Sequence, residues 1–143
     1  MVKLKKLIFI ISFFFCLNSN SYASDYLEGY LLQFTDMENY PFELLSDEYR
    51  AHYRIAGFDE PLTFDKNELK IFYEEQKSIT TDFEIKNFKI LDYSESNNFI
   101  VATYEYEWFM KLGNTNMNGI IYAHTIIEKT NIGWFVIYDA VNQ

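Results

Sequence analysis

The most regular pattern in the chain is an alternation of apolar and polar residues through its C-terminal half. From Phe99 to Leu112 nearly every second residue is apolar, so one face of an extended strand would carry the apolar side chains. Comparable patterns cover residues 82–93, 117–129 and 134–141, separated by short turns. Strands joined by short turns pair with their neighbours in sequence, so the pattern predicts a four-stranded antiparallel sheet. A change of phase near Asn87 predicts a bulge in the first of these strands.

Before these strands, the apolar residues recur with the three- and four-residue spacing of helices. The first helix is expected to start at Asp25, and the second at Pro41, which suits the first turn of a helix. The third is expected to start at Asp65, which forms a capping box with Glu68. Helices followed by strands predict an α+β domain in which the helices pack on one sheet face. The expected buried faces are Leu27, Tyr30, Leu31 and Phe34, then Leu45, Tyr49 and Tyr53, then Leu69, Phe72 and Tyr73.

The first 23 residues have the pattern of a secretory signal peptide. Lysines among residues 3–6 precede an apolar run at 7–17, and a short polar stretch ends at Ala23. The apolar run is about half of the ~20 residues that a membrane-spanning helix needs, so we expect no stable membrane anchor. The sequence therefore predicts a signal peptide at residues 1–23, cleaved near Ala23, and a single domain at 24–143. We expect that domain in the periplasm or outside the cell.

The composition narrows the range of partners. The chain has 12 basic and 21 acidic residues, a formal net charge of −9, and three of its lysines lie in the predicted signal peptide. A negative surface repels phosphate backbones, so we expect no nucleic-acid partner, and a basic protein is one alternative. The single cysteine, Cys16, also lies in the predicted signal peptide. The sequence lacks zinc, calcium, nucleotide and serine-hydrolase motifs, so we expect neither a metal nor a cofactor.

This order of elements resembles the nuclear transport factor 2-like (NTF2-like) superfamily, in its SnoaL-like or ketosteroid-isomerase-like form with a cystatin-like α+β fold. Residues 64–72 look like the third helix of that fold, 88–104 like its first long hairpin, and 133–137 like its terminal strand. The resemblance covers about residues 25–143. It implies three N-terminal helices packed on a curved four-stranded antiparallel sheet, with a cone-shaped pocket between them.

Aromatic residues are the candidates for lining such a pocket. Those on one face of the second predicted strand would form an apolar wall with hydroxyl groups, which suits a flat hydrophobic ligand. The alternative is that they are ordinary core residues beneath the helices. The candidates are Tyr30, Tyr49 and Tyr53 on the helices and Tyr104, Tyr106, Trp108 and Tyr122 on the strands.

Two residues are candidates for acid–base chemistry. His124 lies in the middle of a strand, on the face shared by Tyr122, and histidine is the residue type that most often serves as a general base. Asp139 interrupts an apolar strand, and burial would raise its pKa. The resemblance implies that a strand histidine pairs with an aspartate near the first helix, and Asp36 is the candidate. The alternatives are a hydrogen-bonded structural histidine and an aspartate on the solvent face.

Three functions remain open on these observations. We expect an exported binding or protein-interaction module, since no complete catalytic set is present. One alternative is a cofactor-free isomerase or dehydratase of small hydrophobic molecules, with His124 or Asp139 as its base. The other is an exported inhibitor or immunity-type protein that docks on a basic partner. A homodimer through the broad sheet face is also expected.

Overall fold

The computed structural model describes residues 24–143. The predicted signal peptide, residues 1–23, lies outside the described residues, and export of the domain stays a prediction. Helix α1 covers residues 24–32 and continues into the 3-10 turn Gln33–Thr35, and a second 3-10 turn covers Phe42–Leu44. Helix α2 is Lys66–Ile79. The strands are β1 Leu45–Arg54, β2 Leu62–Asp65, β3 Thr80–Glu95, β4 Phe99–Leu112, β5 Thr115–Thr130 and β6 Gly133–Asn142.

The six strands form one mixed sheet in the order β2-β1-β6-β5-β4-β3. The four predicted strands are β3 to β6, and they pair consecutively and antiparallel as expected. The prediction of a sheet with only these four strands is wrong, because β1 and β2 extend it beyond β6. Strand β1 runs parallel to β6, which makes the sheet mixed.

The predicted second helix is strand β1 in the structure. Its expected buried residues Leu45, Tyr49 and Tyr53 are indeed buried, but Ala51 between them is buried too, which is the alternation of a strand. Residues four apart share a face in a helix and in a strand alike, so the spacing did not distinguish the two. Strand β1 is held by partners on both sides, β2 and β6, and the second of these is distant in sequence.

The predicted buried face is confirmed in α1 and confirmed in part in α2, where Leu69 is buried and Phe72 and Tyr73 are half-buried. In α1 and the turn after it, the apolar set from Leu27 to Phe34 is buried, although Asp25 lies inside the helix and not before its first turn. In α2 the Asp65 side chain accepts from the N–H groups of Asn67 and Glu68. The Glu68 carboxylate accepts from the N–H of Asp65 in return, which completes the predicted capping box. Among the described residues, no helix is long and apolar enough to cross a membrane.

Two strands carry irregularities that bear on the site. In β3 the pairing with β4 shifts between Lys86 and Lys89, and Asn87 has a φ of 52°, which confirms the predicted bulge. In β6 the pairing with β5 shifts near Ile137: Ile126 pairs with Tyr138, whereas Ile127 pairs with Val136. The extra residue in β6 reverses the alternation after it, since both Val136 and Asp139 are buried.

The core lies between the two helices and one face of the sheet, called here the inner face; the opposite face is the outer face. Leu31 and Leu69 from the helices are fully buried against Ile100, Ile127 and Val136 from the strands. Burial of such side chains contributes about 1.5–3 kcal/mol each. The helices cover only part of the inner face, and the rest lines a cavity.

Candidate functional site

A cavity of about 250 Å³ lies against the inner face of the sheet. Its sheet wall is formed mainly by β4, whose even-numbered residues point inward, together with inward residues of β1, β5 and β6. Four of the seven aromatic residues that the sequence nominated line it. These are Tyr53, Tyr104, Tyr106 and Trp108.

The other walls come from α2 and from the segment that follows α1. Helix α2 presents Phe72, Tyr73 and Gln76, and the segment presents a set that includes Phe34 and Tyr40. Tyr40 and Tyr73 have ring centroids 4.3 Å apart, so the two elements meet at the cavity rim through aromatic contact. On the sheet side, Tyr104 and Tyr106 stack at 6.3 Å. Aromatic rings therefore form a large part of the walls.

One carboxylate, that of Asp139, also lines the cavity and is almost completely buried, with 5% of its surface exposed. The Tyr49 hydroxyl donates to its Oδ2 at 2.9 Å, and the Thr125 hydroxyl donates to its Oδ1 at 2.5 Å. The Thr125 oxygen also lies 3.2 Å from the Tyr104 hydroxyl. Because Thr125 has a single hydroxyl hydrogen, the Tyr104 hydroxyl is the donor in that contact. The result is a chain from Tyr104 through Thr125 to Asp139.

Burial dominates the electrostatics of this group. It raises the pKa of Asp139 from 3.8 to about 6, while the hydrogen bonds from Thr125 and Tyr49 oppose part of the rise. Burial also raises the pKa of Tyr49 and Tyr104 well above 10, and the nearby Asp139 charge adds to that effect. At neutral pH the site therefore holds one carboxylate, largely ionised, among neutral hydroxyl groups. Among the described residues that line the cavity, none is Lys, Arg or His.

Trp108 combines a buried polar atom with an unusually close backbone contact. Its Nε1 is the one buried side-chain nitrogen or oxygen without a hydrogen-bond partner in the part of the chain that the structure describes. The indole lies over Gly119, its partner on β5, and a Cβ at that position would be 2.9 Å from Nε1. Gly119 therefore lets this indole lie close against β5 as part of the cavity wall.

The structure does not bring His124 or Tyr122 to the cavity. Both are exposed on the outer face, and Nδ1 of His124 lies 3.0 Å from the Thr103 hydroxyl. Tyr104 pairs with Ala123, so the odd-numbered residues of this part of β5 share its face and the even-numbered ones point away. The predicted placement of His124 and Tyr122 beside Tyr104 is therefore wrong.

Three further candidates also lie outside the cavity lining. Tyr49 is fully buried beneath it, where it holds Asp139. Tyr30 packs on Trp134 and donates to its backbone oxygen at 2.9 Å, so it connects α1 to β6. Asp36 is exposed, and its carboxylate accepts from the backbone N–H groups of Glu38 and Asn39, which gives it a local turn role. It has no histidine partner of the kind that the resemblance implied.

Thr125, Tyr40 and Tyr73 are site residues that the sequence did not nominate. Tyr73 was expected only as an apolar helix residue, and Tyr40 precedes a segment that was expected to be helical. The turn between β4 and β5 determines which face of the sheet Thr125 lies on. Gly113 and Asn114 alone form that turn, so Leu112 faces Thr115 and every later pair follows.

The site shows no metal-binding arrangement. No group of three or more His, Cys, Asp or Glu side chains in residues 24–143 could hold a metal ion. What the arrangement offers chemically is a carboxylate that accepts hydrogen bonds or a proton, together with hydroxyl donors, inside an aromatic enclosure.

Comparison with solved structures identifies the fold. A conserved protein from Planctomyces limnophilus superposes with a TM-score of 0.64 at 14% identity, over 87% of this chain and 96% of that one. A ketosteroid isomerase-like protein from Erwinia carotovora superposes with a TM-score of 0.59 at 12% identity, over 85% and 91%. An NTF2-like protein from Cytophaga hutchinsonii superposes with a TM-score of 0.52 at 16% identity, over 77% and 84%.

No protein-family model matches the sequence, and no curated protein is significantly similar to it. The structural likenesses show that the chain has the NTF2-like fold, an α+β fold with a curved sheet, as the sequence resemblance predicted. At such low identity they show the fold alone.

Proposed function

We propose that the protein is an exported binding domain that holds a small, largely apolar molecule in the cavity on the inner face of the sheet. The observation that carries the proposal is the combination of a cavity of about 250 Å³ with one buried carboxylate in an otherwise mainly apolar wall. Ligand sites of proteins are typically apolar cavities with a few fixed polar groups. Asp139 would accept a hydrogen bond from the ligand, and the aromatic faces would pack against its body.

The cavity volume bounds the ligand. A cavity of roughly 150 Å³ holds one benzene molecule, so about 250 Å³ suits a single ring with a short substituent. The outer face carries half-exposed apolar side chains such as Ile120 and Tyr122. A fused four-ring molecule would require the walls to open.

Binding can be tested with 2-phenylethanol, a neutral ring with one hydroxyl donor, followed by protein NMR. We expect shifts at cavity residues such as Tyr104 and Ala123. Ala123→Leu, which fills the cavity, should weaken binding at least about tenfold, or more than about 1.4 kcal/mol. Ala140→Leu is the matched control, because Ala140 pairs with His124 on the outer face. Equal affinity in the two variants, or shifts confined to the outer face, would refute the proposal.

A second candidate is a cofactor-free isomerase, and the pKa of about 6 for the buried Asp139 favours it. A base with a pKa near the working pH can remove a proton from carbon and return it to another position, while a hydroxyl donor polarises the carbonyl. Tyr106 is the lining residue on β4 that could supply this donor, because the hydroxyl hydrogen of Tyr104 is directed to Thr125.

This candidate predicts turnover of a ligand small enough for the cavity. The conversion of 3-cyclohexenone to 2-cyclohexenone, followed by ultraviolet absorbance, should be faster with the protein than in buffer. Asp139→Asn should lose that acceleration. A rate equal to that in buffer would leave the domain as a binding module.

A further inference from the structure

We propose that the natural ligand of this cavity is an organic cation: an amine whose ammonium group pairs with Asp139 and whose apolar body packs on the aromatic walls. The inference rests on the proposed binding function and names the class of molecule. Its support comes from the charges of the lining, the aromatic composition of the walls, and the hydrogen-bond capacity left at Asp139.

The first support is the charge of the cavity. Asp139 is its one carboxylate, and no Lys, Arg or His is among the described residues that line it. The carboxylate receives two hydrogen bonds from neutral hydroxyl groups, of Tyr49 and Thr125, and no cationic side chain pairs with it. A buried charge without an opposite charge is costly, so a bound ammonium would satisfy it. An anionic ligand would add a second negative charge to the same enclosure.

The second support is the aromatic composition of the cavity wall. Nine of the 21 lining residues are Phe, Tyr or Trp, so aromatic rings form a large part of the wall. Tyrosine and tryptophan faces attract cations within about 6 Å of the ring centroid, and enclosures of such faces recognise alkylammonium groups. Neutral apolar ligands need only an apolar wall, which leucine and valine supply equally well.

The third support is the donor and acceptor count. Each oxygen of an ionised carboxylate accepts about two hydrogen bonds, and each Asp139 oxygen receives one from the protein. One acceptor position on each oxygen is therefore open, and an ammonium group carries donors that fit it. The formal net charge of −9 for the chain also favours the approach of a cation to the domain.

Three ligands of similar shape separate this inference from the general binding function: 2-phenylethylammonium, 2-phenylethanol and 3-phenylpropionate. In titration calorimetry at pH 7.5, the ammonium should bind at least about tenfold more tightly than the alcohol, and the propionate should bind most weakly. If the alcohol binds as tightly as the ammonium, the inference is overturned and the binding function survives. If none of the three binds, both are overturned.

Asp139→Asn should reduce the preference for the ammonium over the alcohol to near unity. Asp92→Asn is the matched control, because it removes one negative charge from an exposed position on β3. An equal loss of preference in both variants would assign the effect to the overall charge and overturn the inference.

A pH comparison on the unmodified protein is independent of whether the Asp139 variant folds. At pH 4.5 the ligand stays an ammonium while Asp139 is largely protonated, so the tenfold preference should disappear. The tyrosines that surround Asp139 are neutral throughout this range, and His124 lies on the outer face. The surrounding groups are Tyr30, Tyr40, Tyr49, Tyr53, Tyr73, Tyr104, Tyr106 and His124. A preference that is unchanged at pH 4.5 would overturn the inference.

Discussion

The hydroxyl of Tyr49 donates a hydrogen bond of 2.9 Å to Oδ2 of Asp139, and both side chains are buried. This bond connects β1 to β6, the one parallel pair in the sheet. It therefore links the part of the sheet that the sequence did not predict to the carboxylate of the cavity.

Replacing Tyr49 with phenylalanine keeps the ring and removes this donor. At pH 7.5 we expect a loss of about 1.5–3 kcal/mol in the free energy of unfolding, because the lost partner is charged. At pH 4.5 the loss should be smaller, since Asp139 is then largely neutral. Tyr30→Phe is the control: its hydroxyl donates to a neutral backbone oxygen, so its cost of about 1 kcal/mol should not change with pH. Denaturant unfolding at the two pH values measures both, and a Tyr49→Phe cost that is equal at both would contradict the prediction.

The stability of the protein should depend on pH through Asp139. Its pKa is 3.8 in the absence of burial and about 6 in the folded protein, so the folded state binds this proton more tightly. The stability that the proton contributes is fully present below pH ~4 and is lost as the pH rises through 6. Relative to Asp139→Asn, the protein should lose about 3 kcal/mol in total as the pH rises from well below 3.8 to well above 6, because each pKa unit corresponds to about 1.4 kcal/mol.

The other titrating groups are common to both proteins, so the difference between their unfolding free energies isolates this one carboxylate. Denaturant unfolding from pH 3.5 to 8 provides the comparison. A difference that stays constant over this range would show that Asp139 has an ordinary pKa.

Gly119→Ala should destabilise the protein by about 1–3 kcal/mol, since the new Cβ would lie 2.9 Å from Nε1 and 3.1 Å from two ring carbons of Trp108. The indole would have to move, which should also change the tryptophan fluorescence. Gly29→Ala is the matched substitution: in helix α1, nothing lies within 4 Å of the new Cβ, and alanine is favoured there by about 0.5–1 kcal/mol. We therefore expect Gly119→Ala to lower the free energy of unfolding and Gly29→Ala to raise it. A neutral Gly119→Ala would mean that Trp108 moves freely.

His124→Ala should leave ligand binding unchanged. His124 is exposed on the outer face and contacts Thr103 there, away from the cavity. We expect the affinity for 2-phenylethanol at pH 7.5 to stay within about twofold, and stability within about 0.5 kcal/mol. A larger loss of affinity would place the binding site on the outer face.

The features that the sequence predicted correctly depend on local contacts. The capping box of Asp65 and Glu68 lies within one turn, and β3 to β6 each pair with the next strand along the chain. The sequence pattern predicts a helix at β1 because the strand that pairs with it, β6, is distant in sequence. Its residues Leu45, Tyr49 and Tyr53 fit both periods.

The site residues divide in the same way. Tyr104, Tyr106 and Trp108 were found because strand alternation is local. His124 shares a face with Tyr122 as predicted, but the pairing of β5 with β4 makes this the outer face, so His124 is not a residue of the cavity. Asp139 is a candidate because a buried carboxylate suits acid–base chemistry. Its burial depends on the extra residue near Ile137, and no local sequence pattern predicts that bulge. The turn before β5 places Thr125 on the inner face, but its part in the site follows only from its contacts with Asp139 and Tyr104.

The position of β6 between β1 and β5 also constrains the order in which the domain can form during synthesis. The ribosome makes β6 after the other five strands, yet β6 is the strand that joins β1 and β2 to the hairpins of β3, β4 and β5. Until it emerges, the sheet exists at most as two separate pieces, and contacts so distant in sequence form slowly. Asp139, whose carboxylate lines the cavity, lies on that same strand. The nascent chain therefore cannot complete the cavity before β6 has emerged.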